Sequence, residues 1–436
     1  MKGIFKYYLI FLLATVSGCV EQVDYEMDQY VKVLGLEGAA TAERLIPLAN
    51  GDIMVLGEMG VAAHDIESTP IGPEIKELED QAPMIAITDP NGNLKFLKMY
   101  PLEDFDLKFI DVFNFENRTI FKYIEPLSGG GYAVMAEVFG FDYSINIPGV
   151  IDTTDLSLPG SANFAPVLFR LDDQYNVTEV HSFNAGPDWN GQFTLTSGVL
   201  KALPNDEIGI LLGRKILADN SIGYTFIHMD GNLDTIAIAD NFDNPDGKLA
   251  YDFDIDDSEI LKIFGTENDG GMYQYDLPLT NMSIEINKRF LVEDGVFSFP
   301  NTNEHFTRKL KSGEFLFVYT NPRDNLILAQ YGGVAFRVGN QEEFPGTNRA
   351  PRAVYEMMNG DLLIYEIIIP ANDSPFGYLH RVKINGTKVF SRRIDGNPGD
   401  VIETEDGKII VAANNIYNGL NPRINLIKLD ANGKLY

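Results

Sequence analysis

The chain has 436 residues, of which 45% are apolar, so it can bury one large core or several smaller ones. It contains 40 glycines and 22 prolines and shows few helix-like periods, which favours a turn-rich β protein. Its formal net charge of −29 repels nucleic acid, so we expect no nucleic-acid partner; the same charge suits cationic partners such as Ca²⁺.

The first 18 residues are predicted to be a signal peptide rather than part of the fold. Lys2 and Lys6 give a positive start, and residues 7–16 form a short apolar run. This order is typical of a secretory signal, and the run is too short for a stable membrane span. Removing residues 1–18 takes away these two lysines and changes the formal charge from −29 to −31.

The signal ends in V-S-G-C at positions 16–19, which resembles the lipobox of bacterial lipoproteins. That resemblance implies that Cys19 is lipidated, for example with palmitate, and becomes the new N-terminus. Cys19 is the only cysteine, so it cannot form an internal disulfide. The alternative is an ordinary signal peptide followed by an incidental cysteine. Acidic Glu21 and Asp24 resemble the surface-export signal of lipoproteins from the Bacteroidetes group. The expected location is the outer membrane, at the cell surface or the periplasmic face, with residues 19–28 as tether.

Residues 44–100 contain four short apolar runs that we call strands a, b, c and d. The a–b turn is Asn50-Gly51, and the c–d turn is D-P-N-G at 89–92. Asn-Gly between alternating apolar runs is a strong hairpin signal, so this unit is predicted to be an antiparallel four-stranded meander. The a-turn-b half recurs near positions 123, 200, 250, 307, 354 and 401. The last three turn glycines, Gly313, Gly360 and Gly407, are spaced by 47 residues.

A four-stranded repeat of this length predicts an all-β fold, a seven-bladed β-propeller, with residues 29–436 as one domain. The last copy stops at Tyr436, where its d-strand should begin, and residues 30–36 have no preceding strands of their own. We therefore expect the N-terminal strand to complete the last blade and close the ring, and we expect the protein to be a monomer. Six or eight blades remain alternatives. The pattern resembles the propeller-type lipoproteins of Bacteroidetes, which implies a fold and an address but no substrate.

The long insertions are predicted in b–c connections (roughly 60–82, 138–164 and 366–377) and d–a connections (roughly 101–119, 181–198 and 338–350). Both kinds lie at the opposite end of a meander from the tight turns. Loops held by a rigid scaffold commonly carry binding sites. Aromatic residues beside Asp and Asn suit sugars, so the candidate ligand-binding residues are Trp189, Tyr143, Phe376 and Tyr417. The alternative is that each ring packs its own loop onto the blades.

Asp252, Asp254 and Asp256 alternate along an a-strand and so share one face. An a-strand is innermost in a propeller, so these carboxylates are candidate ligands for a hard cation such as calcium. The alternative is an acidic strand face in contact with water. The segment is not an EF-hand, because Asp257 stands where that loop needs Gly and Ile263 where it needs Glu.

The sequence contains no recognisable catalytic motif. The five histidines, at 64, 181, 228, 305 and 380, lack metal-ligand spacing, and those in c-strands (His228 and His380) are predicted to be structural. There is no G-x-S-x-G elbow and no P-loop. The favoured function is therefore a lipid-anchored module that binds or scaffolds a glycan or a protein, including an outer-membrane partner. The alternative is a glycan-active hydrolase or lyase with an acidic, calcium-assisted site.

Overall fold

The structure, a computed structural model, describes residues 30–34, 40–60, 81–100, 119–139, 164–182, 193–216, 222–241, 249–256, 258–266, 272–282, 285, 287–292, 305–320, 326–330, 335–338, 347–370, 373–416 and 422–435. These residues form strands and turns, with a single short 3₁₀ turn at Pro204–Asp206. Within these ranges no helix is long and apolar enough to cross a membrane. The predicted signal peptide and Cys19 lie outside them.

The strands form four-stranded sheets, which we number I to VII along the chain. Sheet I contains β2 (Ala40–Pro47), β3 (Ile53–Gly60), β4 (Gln81–Thr88) and β5 (Leu94–Met99). Sheet II contains β6 (Thr119–Pro126), β7 (Tyr132–Phe139), β8 (Phe164–Leu171) and β9 (Val177–Ser182). Sheet III contains β10 (Phe193–Leu203), β11 (Glu207–Ile216), β12 (Ile222–Met229) and β13 (Thr235–Asn241).

The second half of the chain repeats this order. Sheet IV contains β14 (Leu249–Ile255), β15 (Ile260–Thr266), β16 (Met272–Pro278) and β17 (Asn287–Val292). Sheet V contains β18 (His305–Lys309), β19 (Phe315–Thr320), β20 (Leu326–Gln330) and β21 (Ala335–Arg337). Sheet VI contains β22 (Thr347–Glu356), β23 (Leu362–Pro370), β24 (Phe376–Val382) and β25 (Lys388–Asp395). Sheet VII contains β26 (Asn397–Glu403), β27 (Ile409–Ile416), β28 (Pro422–Leu429) and β1 (Tyr30–Val33).

The first two strands of each sheet are joined by a short turn. In sheet I, Leu48 N–H donates to Asp52 O at 2.8 Å and Gly51 N–H donates to Leu48 O at 2.9 Å. Gly51 has φ 80°, a left-handed conformation that glycine adopts without a steric cost. The same pair of hydrogen bonds recurs at Gly360 and Gly407, where φ is again positive. The Asn-Gly signal therefore predicted these hairpins correctly.

The N-terminal strand completes the last sheet, as the sequence predicted. β1 pairs antiparallel with β28, and Val31 lies opposite Ile427. Just after β1, Leu34 N–H donates to Ile424 O at 3.0 Å. The two ends of the domain are thus hydrogen-bonded within one sheet, and sheet VII contains strands from both ends of the chain.

The first strand of every sheet contacts the first strand of the next, and β26 of sheet VII contacts β2 of sheet I. Two side chains fasten this last junction. Asn414 accepts the N–H of Ala42 at 2.8 Å and donates to its carbonyl at 3.1 Å, and Asp400 accepts the N–H of Leu45 at 2.9 Å. These side chains satisfy buried backbone groups that sheet pairing leaves unpaired. The arrangement is a β-propeller of four-stranded antiparallel sheets.

The core lies between neighbouring sheets. In β3, Met54 and Leu56 pack with Phe121 and Phe169 of sheet II, whereas Ile53 and Val55 pack on sheet VII. Both faces of β3 are therefore covered, which explains why its sequence is a continuous apolar run rather than an alternating one. Each fully buried aliphatic side chain stabilises the fold by about 1.5–3 kcal/mol.

The longest connections occur at only one end of a sheet, although the connections between the strands of sheet VI are short at both ends. The six longest connections, residues 61–80, 100–118, 140–163, 183–192, 293–304 and 338–346, all join a second strand to a third or a fourth strand to the next sheet. One predicted insertion is wrong. The connection predicted at 366–377 spans only residues 371–375, because β23 continues to Pro370 and β24 begins at Phe376. The continuous apolar run there extends the strand instead.

Candidate functional site

The predicted ligand-binding aromatics fall mostly outside the part of the chain that the structure describes. Tyr143, Trp189 and Tyr417 lie in connections beyond the described ranges, so the expectations about them stay predictions. Phe376 is described, and it differs from the expectation of an open aromatic platform. It starts β24, is only 4% exposed, and has the guanidinium of Arg393 4.1 Å from its ring centre. Its face is therefore covered by another side chain.

The three aspartates are placed on or just after the first strand of sheet IV, as predicted, but each is engaged separately. Asp252 Oδ1 lies 2.6 Å from Lys201 Nζ, and Asp256 Oδ2 lies 3.0 Å from Lys262 Nζ. Asp254 accepts the N–H of Ile255 at 2.8 Å. Among the described residues, no three Asp, Glu, His or Cys side chains are grouped as a metal site. The geometry therefore gives the calcium hypothesis no ligand set here.

A group of charged side chains instead links the first strands of sheets II, III and IV. We call Glu125, Lys201 and Asp252 the axial group. Besides pairing with Asp252, Lys201 donates to Phe253 O at 2.5 Å. Burial raises the pKa of Glu125 to about 7, although the Ala202 backbone and Lys201 oppose the shift. Burial also raises the pKa of Asp252, again against the effect of Lys201. One lysine is thus shared between two carboxyl groups that both resist ionisation.

Sheet VI contains a second polar group that crosses all four of its strands. Arg349 of β22 donates through Nε to Glu366 Oε2 at 2.9 Å and through Nη2 to Oε1. His380 Nε2 lies 2.7 Å from Glu366 Oε1, and His380 Nδ1 lies 2.7 Å from Ser391 Oγ. We call these four residues the sheet VI relay. Glu366 and His380 are 0% exposed, and Arg349 is 3% exposed.

The protonation pattern of the sheet VI relay follows from its partners. Burial alone would raise the pKa of Glu366, but His380 and Arg349 outweigh it and hold this pKa below its usual value. An ionised carboxylate accepts hydrogen bonds only, so His380 Nε2 carries the ring proton that faces it. When the imidazole is neutral, His380 Nδ1 is then the acceptor, and the Ser391 hydroxyl donates to it. The ring is therefore held in one tautomer by its two neighbours.

The side chains around Ser391 share its face of the sheet. In the β24–β25 register, Ser391 lies opposite His380 and Arg393 lies opposite Tyr378. The Tyr378 and His380 rings meet edge to face with centroids 5.0 Å apart. Arg393 is two residues beyond Ser391, and its side chain is 55% exposed. This face therefore combines a hydroxyl, an imidazole, an aromatic ring and an exposed cation.

One member of the relay has a signal in the local sequence. Glu366 interrupts the apolar run L-L-I-Y-E-I-I-I-P of β23, where an unpaired charge would be costly. His380 was assigned a structural role in a c-strand, and that strand assignment is confirmed. Arg349 and Ser391 could not be predicted as members of the relay, because nothing in their local sequence indicates which residue each contacts across the sheet.

Comparisons with known proteins show no family. No protein-family model matches the chain, and no curated protein sequence matches it significantly. Among solved structures, the Dos1 propeller is 9% identical with a TM-score of 0.49, over 93% of this chain and 95% of that one. Puromycin hydrolase is 9% identical with a TM-score of 0.49, over 90% of this chain and 52% of that one. A protein of unknown function from Bacteroides caccae is 14% identical with a TM-score of 0.38, over 62% and 88% of the two chains. These likenesses carry no argument about function.

Proposed function

We propose that the protein is a seven-bladed β-propeller that serves as a binding or scaffolding module. Seven four-stranded sheets account for all the described strands, and their first strands contact one another in a cycle. We assign one blade to each sheet. A rigid ring of this kind holds its connecting loops in fixed positions, which is how scaffolds present binding loops.

The observation that carries the proposal is the unequal length of the connections. Short turns of neighbouring sheets lie side by side: Glu356 of sheet VI accepts the N–H of Lys311 at 2.8 Å, and Glu403 of sheet VII accepts that of Met358 at 2.5 Å. Both acceptors end a first strand, and both donors lie in the turn of the preceding sheet. If the short turns share one face of the ring, the six longest connections gather on the other. We assign ligand binding to that long-loop face.

We propose a glycan or protein ligand for this face, with Trp189, Tyr143 and Tyr417 among its contacts. The test is titration of the full chain with a panel of neutral and acidic glycans, following Trp189 fluorescence. Trp189 is the only tryptophan, so the signal reports one position. We expect a saturable change with at least one glycan, and loss of that affinity in Tyr143→Ala. The proposal fails if no glycan changes the Trp189 fluorescence and if Tyr143→Ala binds proteins from the same cell surface as well as the natural chain does.

We also propose that the domain is attached to the outer membrane through a lipid on Cys19. The support is the V-S-G-C sequence at 16–19 after a basic and apolar start. The test is expression of the full chain and of Cys19→Ala, followed by separation of membrane and soluble fractions. We expect the natural chain in the membrane fraction and the variant in the soluble one. Membrane partitioning of Cys19→Ala would refute the anchor, whatever the outcome of the ligand experiment.

A further inference from the structure

We propose that Ser391 is an activated nucleophile that accepts an acyl group from a carboxylic ester at the outer strand of sheet VI. Ser391 belongs to β25 and to none of the long connections, and the activity stands whether or not the proposed binding function is correct. The proposal rests on the hydrogen bonds that link the sheet VI relay and on the position of Ser391, its last residue.

The relay has the order that hydroxyl activation requires. A serine hydroxyl becomes nucleophilic when a base accepts its proton and a third group orients and stabilises that base. Here Ser391 Oγ lies 2.7 Å from His380 Nδ1, and His380 Nε2 lies 2.7 Å from Glu366 Oε1. Arg349 holds the carboxylate of Glu366 through two donors. In the neutral imidazole, the nitrogen that faces the hydroxyl is thus the unprotonated one.

The relay ends at an accessible position. Glu366 and His380 are fully buried, but Ser391 is partly exposed and belongs to β25, the outermost strand of its sheet. Arg393, whose side chain is 55% exposed and pairs with Asp395, lies on the same face two residues away. Such a cation favours an ester that carries an anionic group in its acyl or alcohol part.

A second histidine can be compared with His380, because it has a carboxylate partner but no serine hydroxyl. His228 of sheet III also lies in the third strand and has a carboxylate partner, with Nε2 2.6 Å from Glu207 Oε2. Its Nδ1 is buried and has no hydrogen-bond partner in the described structure. A carboxylate–histidine pair therefore occurs in this fold without a serine. The hydroxyl of Ser391 is an addition that pairing of a buried histidine does not require.

The reaction balances with water as the second reactant. Ser391 Oγ bonds to the ester carbonyl carbon while His380 Nδ1 takes the hydroxyl proton. The carbon–oxygen bond to the alcohol then breaks, and the alcohol leaves with that proton. Water attacks the acyl-serine while His380 takes its proton, and Ser391 leaves with the proton restored. The His380 Nε2 proton stays on the nitrogen facing Glu366 throughout.

The test is reaction of the full chain with a fluorophosphonate probe, with the labelled residue identified by peptide mass spectrometry. We expect labelling of Ser391 at least about 100-fold faster than of Ser312, an exposed turn serine, since a positioned general base contributes about 10²–10⁴ in rate. Absence of label on Ser391, or a rate equal to that of Ser312, would overturn the proposal.

Three variants separate a nucleophile from a structural hydroxyl. Ser391→Ala should fold, as judged by thermal melting, and lose both the label and hydrolysis of 4-nitrophenyl acetate. Ser312→Ala should keep both. Arg393→Gln should raise the KM for 4-nitrophenyl hemisuccinate about tenfold and leave the neutral acetate unaffected. Equal acetate hydrolysis by Ser391→Ala and the natural chain would show that the relay only supports the fold.

Discussion

The axial group and the sheet VI relay contain similar side chains but treat their carboxyl groups in opposite ways. Glu366 is fully buried, yet its pKa is lowered, because a guanidinium and an imidazole both pair with it. Glu125 is less enclosed, yet its pKa is raised to about 7, because burial outweighs the opposing effects of the Ala202 backbone and of Lys201, which also pairs with Asp252. The comparison shows that the number of partners decides the charge state of a buried carboxyl group, and that burial alone does not.

The largest expected effect is in the relay. Glu366→Gln removes the charge that balances the buried guanidinium of Arg349. Breaking a buried ion pair from one side costs about 3–5 kcal/mol, so we expect the free energy of unfolding to fall by that amount. Urea unfolding measures it. The matched control is Arg349→Met with Glu366→Leu, which removes both charges and should recover most of the loss. A double variant as unstable as the single one would contradict this account.

A smaller effect is expected in the axial group. Lys201→Met leaves Asp252 without its ion pair and removes the hydrogen bond to Phe253 O. Both groups keep some access to water, so we expect a loss of about 1–2 kcal/mol in the free energy of unfolding. Lys95→Met is the control. Lys95 pairs with Asp52 at 2.7 Å but its side chain is 52% exposed, so its loss should cost below about 1 kcal/mol. Equal losses in the two variants would remove the distinction between these sites.

The pH dependence should differ between the two groups. The pKa of Glu125 is raised from 4.5 to about 7 on folding, so the folded state binds more protons between these values and stability falls as pH rises through them. Glu125→Gln should therefore flatten the stability profile between pH 4.5 and 7. The pKa of Glu366 is lowered, so its contribution is present above pH 4.5 and is lost as pH falls through the folded value. Thermal melts across pH 3–8 test both statements.

The smallest effect is expected at a surface pair on the same sheet as the relay. Arg393 Nε lies 3.0 Å from Asp395 Oδ1, but these side chains are 55% and 81% exposed. Exposed ion pairs contribute about 0–1 kcal/mol, so Asp395→Asn should change the urea midpoint by no more than the error of the measurement. If Asp395→Asn destabilised the protein as much as Glu366→Gln, the loss of a charged partner would cost as much at the exposed surface as in the buried relay.

The connection pattern and the hairpins could be predicted from local sequence because turns are local. Asn50-Gly51 and the glycines spaced by 47 residues fix where a chain reverses, and alternating apolar runs fix strands. The predicted boundary of one insertion was wrong because β23 is a buried strand, and its continuous apolar run has no alternation to mark where the strand ends. The aspartates of β14 were placed on the right strand, but their lysine partners lie on other strands and could not be read from spacing.

An all-β chain of four-stranded repeats, with an N-terminal strand that completes the last sheet, could be predicted from the sequence alone. Those features depend on residues close together in the chain, or on one segment that lacked partners of its own. Only the tertiary structure decided which charges meet. Arg349, Glu366, His380 and Ser391 come from four different strands, and their contact depends on register across the sheet. The register of the strands brings these side chains within hydrogen-bond distance of one another, and no local sequence pattern encodes that register.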